Sequence, residues 1–230
     1  AATQNVIGIG LAMPGVVDGN GLVKRSTLLG WRNVDVRTLI ERRFSLPVTV
    51  NNDATAAMFT ERLFGKGGPN MMFVRLRRGV GGAVLLGDVP VFGENHAGGE
   101  IGHISLDPQG PPCACGKRGC LERLVSATSL HARLQRSDER MRASILREAG
   151  TYLGTALSMP VGLLDLADVC VYGQSDIVND TLLSAAQAQL DLLTGSSFHT
   201  RTIIRRCECK GEITLRGEAL SVLHDYLENR

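Results

Sequence analysis

Between His103 and Glu122 the chain reads His-Ile-Ser-Leu-Asp-Pro-Gln-Gly-Pro-Pro-Cys-Ala-Cys-Gly-Lys-Arg-Gly-Cys-Leu-Glu. One imidazole and three thiols (Cys113, Cys115, Cys120) fall within eighteen residues, among Gly and Pro that let the backbone fold tightly. A Cys3His set is a preferred tetrahedral donor set for structural zinc and leaves no position open for water. The two sulfurs of a C-x-C pair reach one ion only if the backbone between them turns. Gly116 and Gly119 relax the turn toward Cys120. The alternative is a disulfide-rich surface loop, which belongs to oxidising compartments. Zinc is the better reading, because a reduced C-x-C-x4-C with a nearby His has little reason to exist without metal.

Three further groups could do chemistry. Asp53 follows a short apolar run and precedes an Ala-rich one, the strand-to-helix junction where ligands of α/β sheets sit. A carboxylate there is placed to act as general base on a hydroxyl, or simply to cap the helix. Glu100 and His103 are three residues apart in Ala97-Gly-Gly-Glu-Ile-Gly-His103, a spacing that puts both on one side of a helical turn. If one His103 nitrogen binds zinc, the other is fixed as a donor toward a substrate hydroxyl. Glu122, two residues after Cys120, is carried by the same knot. Carboxylates, an amide and an imidazole without a basic cluster suit a neutral polyol such as a sugar. The glycine stretch Gly79-Val-Gly-Gly82 offers backbone N–H groups to a phosphate, or is a structural hairpin.

These residues need elements to hold them. Val6–Met13 reads as a buried strand, Val34–Phe44 as a helix, and residues 47–50 as a short strand ending on Asn51, Asn52 and Asp53. A helix over Ala54–Phe64 follows. Met71–Leu76 and Ala83–Leu86 are strands joined by a turn from Arg77 to Gly82. Helices are expected near Ser126–Gln135 and Met141–Leu157, a strand at Asp168–Tyr172, and helices at Asp180–Leu193 and Gly217–Glu228. Strands alternating with helices give an α/β fold with a partly parallel sheet. An apolar strand six residues from the start, with nothing before it to pair with, suggests that earlier strands are missing.

Composition narrows the function. At 43% hydrophobic and 21% charged residues the chain is an ordinary soluble protein. A net charge of +2 argues against a nucleic-acid surface within it. No membrane-length apolar run or leader stands out, so a cytoplasmic protein is expected. Cys170 lies in an apolar run as a small hydrophobe. Cys207 and Cys209 form a second C-x-C pair, with no third ligand close in sequence.

Together these residues resemble the ROK family of repressors, uncharacterised reading frames and sugar kinases. The resemblance rests on Gly8-x-Gly10-x3-Pro14-Gly15, Gly30-Trp31, Asn52-Asp53-Ala54, Gly79-Val-Gly-Gly-Ala83, Gly99-Glu100-Ile-Gly-His103 and Cys113-x-Cys115-Gly-x2-Gly-Cys120-Leu-Glu122. It implies a two-lobed, actin-like ATPase (ribonuclease H-like) fold with a zinc-binding loop and an incomplete amino-terminal part. Residues 1–95 would belong to the first lobe, and residues 96–230 to the second, with the zinc loop and dimerisation helices. Structural zinc would be held by His103, Cys113, Cys115 and Cys120. A sugar would be held by Asn52, Asp53, Glu100, His103 and Glu122, with Gly15 and Thr27 as further contacts. In the kinases of the family, the Asp matching Asp53 is the catalytic base.

Departures from the family pattern favour a sensor. ROK kinases begin with an Asp-x-Gly-Gly-Thr phosphate hairpin, which is absent here before Val6. Their second phosphate loop reads Gly-Thr-Gly-x-Gly-Gly-Gly, where this chain has Arg77 and Arg78 first. The adenosine-side Gly-Gly appears as Gly173-Gln174. Every nucleotide element is altered, while the sugar and zinc elements remain. The expected function is therefore the sugar-binding effector part of a ROK repressor, homodimeric and non-phosphorylating. It would reach DNA only through a helix-turn-helix domain outside this chain, and no membrane is involved. The alternative is an ATP-dependent sugar kinase with Asp53 as its base.

Overall fold

In the computed structural model, residues 6–198 and 200–228 are described. They form ten strands and seven α-helices distributed over two units. The fold is α/β, as expected.

The first unit holds the residues up to Lys66, Phe92–Gly98, and those from Glu208 onward. Its central pair is parallel, β1 (Ile9–Met13) beside β5 (Val48–Asn52), with Met13 opposite Asn52. A three-stranded antiparallel meander lies between them in sequence: β2 (Val16–Val17), β3 (Leu22–Ser26) and β4 (Trp31–Asp35). The meander was not expected, and the reason is visible in its burial. Its strands are short, and β4 is almost wholly exposed, so no apolar alternation marks it. The helix expected from Val34 starts later, as α1 (Val36–Phe44), because Asp35 caps it by accepting from the Thr38 N–H at 3.0 Å. That bond holds the Asp35 carboxyl below its ordinary range. Val17, Val23, Val36, Val48 and Val50 form the core, with Ile9, Leu11, Met13, Val34 and Ile40 against it. Helix α2 (Asp53–Phe64) packs against the closing helix α7 (Ile213–Glu228). At that crossing the Thr60 hydroxyl donates to the Ile213 carbonyl. This contact belongs to a first turn of α7 that begins four residues before the expected Gly217.

The second unit comprises Gly67–Val91 and Gly99–Cys207. Its mixed sheet has the order β10-β9-β6-β7-β8, from β6 (Met71–Leu76), β7 (Val80–Leu86), β8 (Val89–Pro90), β9 (Asp168–Gly173) and β10 (Ile203–Arg206). Both β6–β9 and β9–β10 are parallel, and β6–β7–β8 is antiparallel. The helix expected at Met141–Leu157 extends as α5 over Glu139–Leu164 and runs through Pro160. Helix α6 (Asp180–Thr194) crosses it closely: a Cβ at Gly150 or Gly154 would meet the carbonyls of Leu182 and Ala186. The helix expected near Ser126–Gln135 is present as α4 (Ala127–Leu134), capped by Ser126; a short helix that was not expected, α3 (Leu121–Val125), precedes it and ends at the same serine. Among the described residues, no helix is long and apolar enough to cross a membrane.

Candidate functional site

In the second unit, the segment after His103 folds back on itself through short backbone bonds. Cys113 N–H donates to the Lys117 carbonyl, Gly116 N–H to Cys113, Gly119 N–H to Pro111, and Leu106 N–H to Gly119. Gly116 and Gly119 take positive φ of 97° and 57°, which side-chain-bearing residues rarely adopt. The turns converge four donor atoms. His103 Nδ1 lies 3.6 Å from Cys113 Sγ, Cys115 Sγ lies 3.6 Å from Cys120 Sγ, and all four lie within 4.8 Å of one another. A tetrahedron with bonds of about 2.0 Å to nitrogen and 2.3 Å to sulfur has edges of about 3.5–3.8 Å. The four groups therefore fit one tetrahedral ion. Burial and the adjoining Cys115 and Cys113 sulfurs push the Cys120 thiol up to about 12. At Cys115 burial acts the same way, but the Lys117 backbone N–H and the Cys113 and Cys120 thiols outweigh it and lower the pKa.

His103 ends a 3-10 turn, Ile101–His103, with Glu100 just before it. Close backbone packing positions this turn on β7. A Cβ on Gly102 would strike the Val80 carbonyl, and one on Gly99 the Gly82 carbonyl. His103 Nε2 faces Glu100 Oε2 at 3.9 Å, the side-by-side placement expected from their spacing. That gap is too long for a direct hydrogen bond.

Glu122 lies in the first turn of α3, immediately after the knot. Its Oε2 accepts from the Val80 N–H at 3.2 Å and would be struck by a Cβ on Gly79. The turn expected over Arg77–Gly82 is shorter than that, and the glycine stretch forms a structural hairpin. Gly81 and Gly82 are strand residues paired with Arg75 and Val74, so the turn contracts to three residues around Arg77–Gly79. The carbonyls of Arg77 and Arg78 accept from the Ala127 N–H and the Thr128 hydroxyl, and the Arg77 guanidinium lies 5.8 Å from the Tyr172 ring centre.

In the first unit, Asn52 caps α2: its Oδ1 accepts from the N–H groups of Ala54 and Thr55 at 2.8 and 3.2 Å. Its Nδ2 donates to the Gly15 carbonyl at 2.9 Å, tying the turn after β1 to the start of α2. The cap is thus Asn52, and Asp53 is the first helical residue. The capping alternative for Asp53 is removed, and its carboxylate sits in the first turn of the helix. Asn52→Ala should cost about 1–2 kcal/mol of stability, read as a lower urea midpoint; an unchanged midpoint would contradict the cap.

Sequence reasoning missed two features. Glu218 on α7 is buried against Asn51, and Cys207 lies beside Cys170. Neither has a local signature, since each partner is far away in sequence.

The comparisons agree with these motifs. Residues 1–157 match the model of the ROK family. The chain is similar to the xylose repressor of Bacillus spizizenii, at 33% identity over 59% of this chain and 36% of that protein. It is also similar to a glucokinase of Halalkalibacterium halodurans, at 40% identity over 55% and 40%. The alignments thus span about two fifths of each relative. Among solved structures, a ROK family glucokinase from Streptomyces griseus in complex with glucose and AMPPNP superposes with TM-score 0.85 at 22% identity, covering 96% of this chain and 83% of that one. A ROK family transcriptional regulator, homolog of the E. coli MLC protein, superposes with TM-score 0.84 at 24% identity, covering 97% and 64%. The fold is therefore the actin-like ATPase fold of ROK sugar kinases and regulators.

Proposed function

The chain belongs to the ROK family, and from that membership we propose that it is the sugar-sensing effector part of a cytoplasmic, homodimeric ROK transcriptional regulator. It binds a sugar without phosphorylating it. Asn52, Asp53, Glu100, His103 and Glu122 contact the sugar, and Asp53 accepts a hydrogen bond from a sugar hydroxyl without doing chemistry. His103, Cys113, Cys115 and Cys120 hold structural zinc. Zinc supplies no catalysis; it fixes the imidazole so that Nε2 faces Glu100. DNA is contacted through a helix-turn-helix domain that these 230 residues do not include. Sugar shifts an equilibrium between two states of the regulator by binding one better than the other.

The observation that carries this reading is the β6–β7 hairpin. Where the family's kinases place a glycine-rich phosphate loop, Arg77 packs near Tyr172, and Gly81 and Gly82 lie in a strand ladder. The Val80 N–H is taken by Glu122. A cradle for phosphate needs backbone N–H groups directed at one point, and this hairpin commits its backbone elsewhere.

The second reading is an ATP-dependent sugar kinase. Asp53 favours it, and so does the similarity to glucokinases as well as repressors. Calorimetric titration with xylose, glucose and an amino sugar, beside a coupled assay with ATP and the same sugars, separates the two. The expected result is binding of one sugar with no turnover. Turnover at about 1–100 s⁻¹, the ordinary kinase range, would overturn the proposal.

A further inference from the structure

Two arginines in the second unit carry charge that no acid answers. Arg133, Arg201, Arg205 and Arg206 of the same unit pair with Glu148, Asp191, Asp168 and Asp180. Arg77 and Arg78, in the turn between β6 and β7, are exposed and pair with no carboxylate among the described residues. Asp176, in the segment after β9, is taken by His131 Nε2 at 2.7 Å.

The backbone under both arginines is fixed. The Arg77 carbonyl accepts from the Ala127 N–H at 2.9 Å, and the Arg78 carbonyl from the Thr128 hydroxyl at 3.1 Å. The Arg77 guanidinium lies over the Tyr172 ring, 5.8 Å from its centre, and that ring stacks on the buried Phe73. A planar guanidinium resting on an aromatic face keeps its N–H edges for a second partner. Glu122 reaches the same turn. Its Oε2 accepts from the Val80 N–H at 3.2 Å and makes no ion pair with either arginine. Only two residues of chain, a span of at most about 7 Å, separate Arg78 from Val80. A ligand held by Glu122 therefore lies beside two uncompensated positive charges.

A neutral polyol gives such charges nothing to bind. A phosphomonoester carries nearly two negative charges at neutral pH and presents three acceptor oxygens. Guanidinium groups bind those oxygens in a bidentate fork. We propose that the ligand of this site is a phosphorylated sugar, with a hydroxyl on Glu122 and its phosphate on the Arg77 and Arg78 side chains. This rests on the sugar-sensing reading and narrows its ligand class. The phosphate arrives with the ligand, and no bond is made or broken.

The test is calorimetric titration of the zinc-loaded chain with pairs that differ only in a terminal phosphate. The pairs are glucose and glucose 6-phosphate, glucosamine and glucosamine 6-phosphate, and xylose and xylose 5-phosphate. In one pair the phosphate should bind at least about tenfold more tightly than its parent. Arg77→Gln and Arg78→Gln should each erase most of that preference, as should salt at about 0.5 M, whereas Arg136→Gln should keep it. Equal affinity within every pair, or a preference undiminished in both variants, overturns the proposal and leaves the sugar-sensing reading standing. Inorganic phosphate binding as tightly as the sugar phosphate overturns it as well, because the site would then recognise the anion alone. If the folded chain binds no member of any pair, the sugar-sensing reading itself falls, and this proposal with it.

Discussion

Replacing Cys120 with Ser is expected to lower the thermal midpoint by about 10 °C, and a strong chelator should do the same to the unaltered chain. The segment from Ile104 to Gly119 is mostly exposed and buries little beyond Gly110, Cys113 and Gly119. It has no core of its own, so under the proposed zinc assignment four ligand bonds supply the restraint that apolar burial supplies elsewhere. A loss of roughly 3 kcal/mol, at about 2–4 °C per kcal/mol for a chain of this size, gives the stated shift. The damage should be local first: amides of residues 104–120 exchange faster, while β1 and β5 keep their protection. The Glu122 bond to the Val80 N–H should weaken with it, because α3 starts directly on the last ligand. A disulfide in place of the ion would instead make the midpoint respond to a reductant. A midpoint indifferent to chelation and to Cys120→Ser would remove the metal assignment.

Raising the pH from 5 to 9 should cost the chain stability that Glu218→Gln retains. Glu218 is 2% exposed; its Oε2 accepts from Asn51 Nδ2 at 3.2 Å, and its Oε1 is buried with no partner. Burial pushes this carboxyl up to about 8, and the Asp225 charge adds to it, while the Asn51 hydrogen bond opposes them only in part. The ordinary value is 4.5. Below that both folded and unfolded chains carry the proton, and the contribution is fully present. Between 4.5 and about 8 only the folded chain holds it, so stability falls as pH rises and levels off above the folded value. At about 1.4 kcal/mol per pH unit the loss is on the order of 4 kcal/mol. Gln keeps the acceptor for Asn51 and cannot ionise. Urea unfolding of both proteins at pH 5, 7 and 9 should give curves that diverge toward alkaline pH. Parallel curves would show that Glu218 ionises as it does in water.

Much of the site was legible in the residues themselves, where partners are close in sequence. The four knot ligands fall within eighteen residues, and the turn glycines between them take the positive φ their positions require. Glu100 and His103 do share one turn, and Asp53 does stand at the end of a strand. Other readings depended on register, which composition cannot supply. Gly79–Gly82 reads in composition as one glycine turn; only the pairing of Gly81 with Arg75 places its second half in a strand. The β2–β4 meander escaped notice because exposed short strands leave no periodic trace.

By itself, then, the sequence determined the family and the Cys3His set of the knot, because both reside in contiguous residues whose chemistry is intrinsic. The tertiary structure decided that Asn52, rather than Asp53, caps α2. It also decided that the Val80 N–H donates to Glu122, that Glu218 is buried against Asn51, and that Cys170 meets Cys207. Three of these four join residues from 37 to 167 positions apart. Only packing, which sets burial and strand register together, could bring such residues within bonding distance.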